Sequence, residues 1–84
     1  MTLLDVQANA IVRRFCLAIE TLQQQGIGLN GMCKKMHIDR RNLYHKLEMR
    51  DTTTVMPPLW LAQMCKQYDV SADWLLTGRG EMFK

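Results

Sequence analysis

The sequence predicts an all-α fold of five helices around one core, and three observations carry that prediction. Apolar residues recur at three- and four-residue steps through most of the chain, the period of an amphipathic helix. No stretch alternates apolar and polar positions over several β-branched residues, as a half-buried strand would. Capping residues and breakers punctuate the helical pattern at Thr2, Gly26, Asp39, Pro57-Pro58, Ser71 and Gly78.

Taken in order, the first helix starts near Thr2, whose hydroxyl suits an N-cap while Asp5 complements the positive helix end. Ile11, Phe15, Ala18, Ile19 and Leu22 form its apolar stripe, and Gly26 closes it as a left-handed cap. A short second helix over 29–36 places Leu29, Met32, Cys33 and Met36 on one face. It needs tertiary support, because isolated helices shorter than about 12 residues are marginal. Asp39 caps a third helix over 40–48, in which Leu43 and Leu47 make a buried i, i+4 pair. Residues 49–56 carry three threonines and no periodicity, and read as a loop. Pro57-Pro58 opens the fourth helix, where a missing N–H is harmless, and Leu59, Trp60, Leu61, Met64, Cys65 and Tyr68 give it a wide apolar face. Ser71 caps a last helix over 72–77 with Trp74, Leu75 and Leu76; Gly78 ends it, and 79–84 is a short tail.

At 84 residues the chain supports one domain spanning 1–84, which excludes an enzyme with separate cofactor and substrate domains. Apolar residues make up 48% of it, too many for a disordered tail. No window approaches the roughly 20 apolar residues of a membrane span, and the start lacks a secretory signal. Cys16, Cys33 and Cys65 are an odd, unclustered set, which points to a reducing, cytoplasmic setting.

The formal net charge of +3 is unevenly spread. Six basic residues (Lys34, Lys35, Arg40, Arg41, Lys46, Arg50) against Asp39 and Glu48 give 34–50 a local charge of +4; the remainder carries −1. Both histidines, His37 and His45, fall in the same segment. Such a patch is what a polyanion-binding surface needs, and a solvated helix face has the same composition.

The turn between the second and third helices, 36–39, is so short that it forces them into a crossed pair. On a wheel of about 100° per residue, with the Leu43/Leu47 midpoint inward, His45 lies about 180° away and Arg41 about 140°. Asn42 and Glu48 fall near roughly 120°, and Tyr44 and Lys46 flank at about 80°. The outward set is therefore Arg41, His45 and Asn42, with Arg40 and Tyr44 beside it. An α-helix fits the major groove of B-DNA, where Arg can donate twice to guanine and Asn can pair with adenine. Lys34, Lys35, Lys46, Arg50 and the hydroxyls of Thr52, Thr53 and Thr54 suit phosphate contacts, which position without specifying.

Residues 26–48, with the closing Val70-Ser71-Ala72-Asp73-Trp74-Leu75-Leu76-Thr77-Gly78, resemble the helix-turn-helix domains of lambda-repressor-like and Cro/C1-type phage and prophage regulators. The resemblance covers about 10–83 and places the helix-turn-helix at about 29–48. It implies that Cys33 is the small position of the first motif helix, Ile38 the buried turn residue and Asp39 the recognition-helix cap. It also implies base reading by Arg40, Arg41, Asn42 and His45. His37 stands where the family usually has Gly, a tolerable exchange because His adopts positive φ more readily than most residues. Leu29 replaces the phosphate-contacting Gln that often opens the first motif helix, which moves that role to Asn30. The loop over 49–56 is longer than usual. Similar proteins commonly act as homodimers on palindromic operators and repress transcription. Helix five and Met82-Phe83 offer apolar surface for a dimer, and the chain resembles either a stand-alone Cro-like protein or the N-terminal domain of a longer repressor.

Other chemistries fare worse. Cys33 and His37 share a helix face, yet zinc needs three or four ligands and only His45 and two dispersed cysteines remain, so no metal or cofactor is expected. The same pair lacks the third group and the cleft of a nucleophilic site. Tyr44 is the one aromatic among the basic residues, which ranks single-stranded nucleic acid below duplex DNA. Arg13 and Arg14 could touch phosphate, but a solvated face with one arginine pairing Glu48 is the preferred reading. From a different class, the same fold serves as an antitoxin-like or adaptor module that binds another protein.

Overall fold

A computed structural model describes residues 3–49 and 57–84, the side chains of 3–9 and 49 excepted. The described residues form five helices and no strand: α1 (Leu3–Gln24), α2 (Leu29–Met36), α3 (Arg40–Met49), α4 (Pro58–Tyr68) and α5 (Ala72–Thr77). The expected starts of α2, α3 and α5 hold; α3 runs one residue beyond 48, and Thr2 lies outside the described residues.

The core is one cluster. From α1 come Val12, Phe15, Cys16, Ala18, Ile19 and Leu22, a stripe at helical spacing. α2 adds Leu29, Met32, Cys33 and Met36, the set its periodicity singled out. Leu43, Met64 and Leu75 are fully buried contributions from α3, α4 and α5. Phe15 meets Trp60 of α4 with ring centroids 6.0 Å apart and planes inclined by 33°, inside the range of favourable aromatic pairs. Leu59 departs from expectation: it is 58% exposed and lies outside the core cluster.

The same chain reversal ends α1 and α2. Ile27 N–H donates to Leu22 O (3.1 Å) and Gly26 N–H to Gln23 O (3.0 Å), with Gly26 at φ 90°. At the end of α2, Ile38 N–H donates to Cys33 O (3.0 Å) and His37 N–H to Lys34 O (3.4 Å). Each time a left-handed residue lets two amides satisfy carbonyls the helix leaves open, and the next apolar residue, Ile27 or Ile38, packs on the core.

Arg14 follows neither sequence-based reading. Its Nε donates to Leu75 O (2.8 Å) and its Nη2 to Leu76 O (3.0 Å), so a cation from α1 closes the C-terminal turn of α5. It is therefore committed to α5 rather than to Glu48 or a phosphate. Gly78, at φ 82°, completes that end: its N–H donates to Trp74 O (2.8 Å), and a Cβ there would come within 3.3 Å of Arg14 Nη1.

The C-terminal residues are also more than a tail. Val70 and Phe83 form an antiparallel bridge flanked by Ser71 N–H to Met82 O (2.7 Å) and Lys84 N–H to Asp69 O (2.9 Å). Met82 and Phe83 pack, half-buried, on the chain's own core, which takes much of their surface away from the dimer role expected of them.

Removing the α1–α5 clamp leaves a helix end without its donor. Arg14→Ala is expected to cost about 1–3 kcal/mol, read as a lower urea midpoint. A midpoint equal to wild type would reduce the clamp to a surface contact. A second expectation concerns alkali. Burial pushes the Cys33 and Cys65 thiols above their ordinary value of 9.0, and the Tyr68 hydroxyl above 10.0. The folded state holds these protons more tightly than the unfolded one. Stability from this source is complete below 9.0 and falls as pH climbs through it, so the urea midpoint should decline above about pH 9. A midpoint that rises there would contradict it.

Candidate nucleic-acid interface

The surface worth attention is made by α3 and the turn before it. Asp39 begins the helix: its Oδ1 accepts the Arg41 N–H at 3.0 Å, satisfying one of the open amides of the first turn. The turn itself spans only 37–39 and depends on His37 at φ 56°, ψ 43°. A non-glycine residue there costs about 1–2 kcal/mol, offset by the two backbone bonds and the burial of Ile38.

The inward side of α3 is narrow. Leu43 is fully buried, Leu47 is half-buried, and Arg40, Arg41, Asn42, Tyr44, His45 and Glu48 are all exposed. Of the five residues that the wheel and the resemblance singled out, the structure brings four together at one surface. Arg40, Arg41, Tyr44 and His45 line an open concavity with Asp39 and Glu48. Asn42 is exposed but lies outside that lining. The Arg40 guanidinium stands 5.4 Å from the centre of the Tyr44 ring, a cation–π distance that holds both side chains on the outer face.

The flanking positions divide. Asn30, Lys34 and Lys35 are exposed on α2. Lys35 Nζ is 5.0 Å from the Tyr68 ring centre, so this lysine also links α2 to α4. Lys46 is a correction to the phosphate set. It is only 8% exposed and is engaged within the protein, unlike the exposed lysines of α2. Arg50, Thr52, Thr53 and Thr54 lie outside the described residues. Arg13 is exposed on α1.

Two members of the concavity were assigned elsewhere by sequence reasoning, Asp39 as the helix cap and Glu48 as the partner of an α1 arginine. Spacing alone places Glu48 on the Arg41 side of the helix, seven residues on, but does not show that the two line one concavity. Among the described residues no three His, Cys, Asp or Glu side chains converge as a metal site would require. No helix among them is long and apolar enough to cross a membrane.

Comparison with protein-family models, with characterised proteins and with solved structures finds no match for this chain.

The turn before α3 offers a direct test of how the surface is set. His37→Gly should fold at least as stably as wild type, gaining up to about 1 kcal/mol from relief at positive φ. His37→Val, β-branched at the same position, should lose more than about 1 kcal/mol. Thermal midpoints of the two variants check this, and equal midpoints would remove the left-handed turn from the account.

Proposed function

We propose that the chain is a sequence-specific regulator that binds duplex DNA, of the lambda-repressor-like helix-turn-helix type, with α2 and α3 as the motif. The observation that supports this reading is the outer face of α3. Arg40, Arg41, Tyr44 and His45 are exposed together there, with Asn42 exposed outside their concavity, while Leu43 anchors the opposite side in the core. A helix held by so narrow a seam can enter a major groove about 12 Å wide without losing its packing. Exposed Lys34 and Lys35 on α2 then face the phosphates beside the groove, with Asn30 at the helix start.

The protein acts on this reading as a homodimer on a palindromic operator, with half-sites about one helical turn, or 34–36 Å, apart. Occluding a promoter is the mechanism that follows, as it does for the phage and prophage regulators the sequence resembles. No covalent chemistry and no cofactor are involved.

One observation favours a second reading, a protein-binding module. An apolar slot runs between α4 and α5, lined by Pro58, Leu61, Cys65, Ala72, Leu75 and Leu76, and Leu76 is 48% exposed. The two readings separate on salt. Gel shifts against mixed duplex DNA should show binding at low salt that weakens steeply as salt rises, because condensed counterions are released on binding. Absence of binding at low salt would overturn the DNA reading and leave the slot as the functional surface.

On a selected site, Arg41→Ala should lose about 1–3 kcal/mol and relax preference at one base position. Lys34→Ala should instead weaken all sequences alike and reduce the salt slope by about 1. Wild-type affinity and selectivity in Arg41→Ala would remove this residue from base reading.

A further inference from the structure

We propose that the concave face of α3 selects a half-site built on G·C pairs, with Glu48 as the residue that accepts cytosine; this rests on the reading of α3 as the helix that enters the major groove. The chemistry of the face changes along its length. Arg40 and Arg41 stand at its N-terminal end, His45 in the middle and Glu48 at the far end, and all four line one concavity. From Arg41 to Glu48 the helix rises about 10 Å, since each residue adds about 1.5 Å. Guanidinium and carboxylate therefore address different base pairs, about three steps apart at roughly 3.4 Å per step.

The two ends make opposite demands on a base edge. A guanidinium only donates, and guanine offers it two acceptors, O6 and N7. An ionised carboxylate only accepts. In the major groove guanine and thymine present acceptors, which repel it. Adenine presents its amino donor beside the N7 acceptor, so a carboxylate there gains one contact and loses another. Cytosine presents a donor, the N4 amino group, flanked by an acceptor on one side only, the O6 of its paired guanine, whereas the adenine amino group lies between N7 and the thymine O4. The base that fits Glu48 is cytosine.

Glu48 is also costly to keep on this surface unless it does such work. A carboxylate facing a duplex is repelled by its phosphates, and 34–50 is otherwise basic apart from Asp39. Asp39 already accepts the Arg41 N–H at the helix start. Glu48 is exposed and lines the concavity at the end where no such backbone amide is open, because α3 continues to Met49. Asn42, the side chain suited to adenine, lies outside the concavity. Donors for guanine at one end and an acceptor for cytosine at the other thus define the class of sequence.

Selection from random duplexes with wild type and with Glu48→Gln tests this, Glu48→Ala serving as a second variant. Glu48 is exposed, so melting temperatures of both variants should match wild type. The wild-type half-site should contain guanine positions and one position at which cytosine is preferred about tenfold or more, the scale of one good base contact. In Glu48→Gln that cytosine preference should fall about tenfold, because the amide both donates and accepts, while the guanine positions persist. Binding of either variant to unselected duplex should be as strong as wild type or stronger. A selected site rich in A·T pairs, or a cytosine preference unchanged in both variants, would overturn the proposal and leave duplex reading by α3 standing. Enrichment of no sequence at all would overturn both.

Discussion

Helices of eight and ten residues have no stability of their own in water, and the candidate site stands on two of them. What keeps α2 and α3 helical is burial: Met32, Met36 and Leu43 are fully enclosed, and Leu29, Cys33 and Ile38 nearly so. Packing is relayed rather than shared equally. Among the described residues α3 packs chiefly on α2, α2 on α4, α4 on α5, and α5 on α1. The Arg14 clamp on the last carbonyls of α5 belongs to the same relay, at its far end from the site.

The relay also explains why α3 has so much surface to offer. Among its described apolar residues one is fully buried, Leu43, and one half-buried, Leu47. The exposed positions Arg40, Arg41, Asn42, Tyr44, His45 and Glu48 then carry the outer face. Two cation–π contacts tidy the edges. Arg40 over Tyr44 holds the start of the face, and Lys35 over Tyr68 fastens α2 to α4 across solvent. Both cations place their charged groups over ring faces and remain exposed, so the basic character of the patch survives the packing.

Much of this was legible locally. The buried set of α2, the caps at Gly26, Asp39 and Ser71 and the outward arc of α3 follow from periodicity and from short-range hydrogen bonding. Ser71 Oγ accepts the Trp74 N–H at 3.3 Å, a contact three residues long that requires no knowledge of the rest of the chain. The wheel assigned the exposed residues because a helix with only two strong apolar positions has one plausible inward side. It said less about Lys46, which falls between the faces, where a long stem goes inward or outward according to its neighbours.

What the chain order alone determined, then, is the set of five helices, their ends and the polar arc of α3, since each depends on residues within four or five positions of one another. Three features were decided only by the tertiary structure. Arg14 reaches carbonyls 61 and 62 residues away, and Phe83 bridges back to Val70 with Met82 against the core. Within α3, Glu48 joins the concavity and Asn42 stays out of it. The first two are contacts between distant segments, and the third depends on the shape of a surface. Periodicity reports which side of a helix is wet, whereas the packing of the whole chain decides what each wet side chain faces.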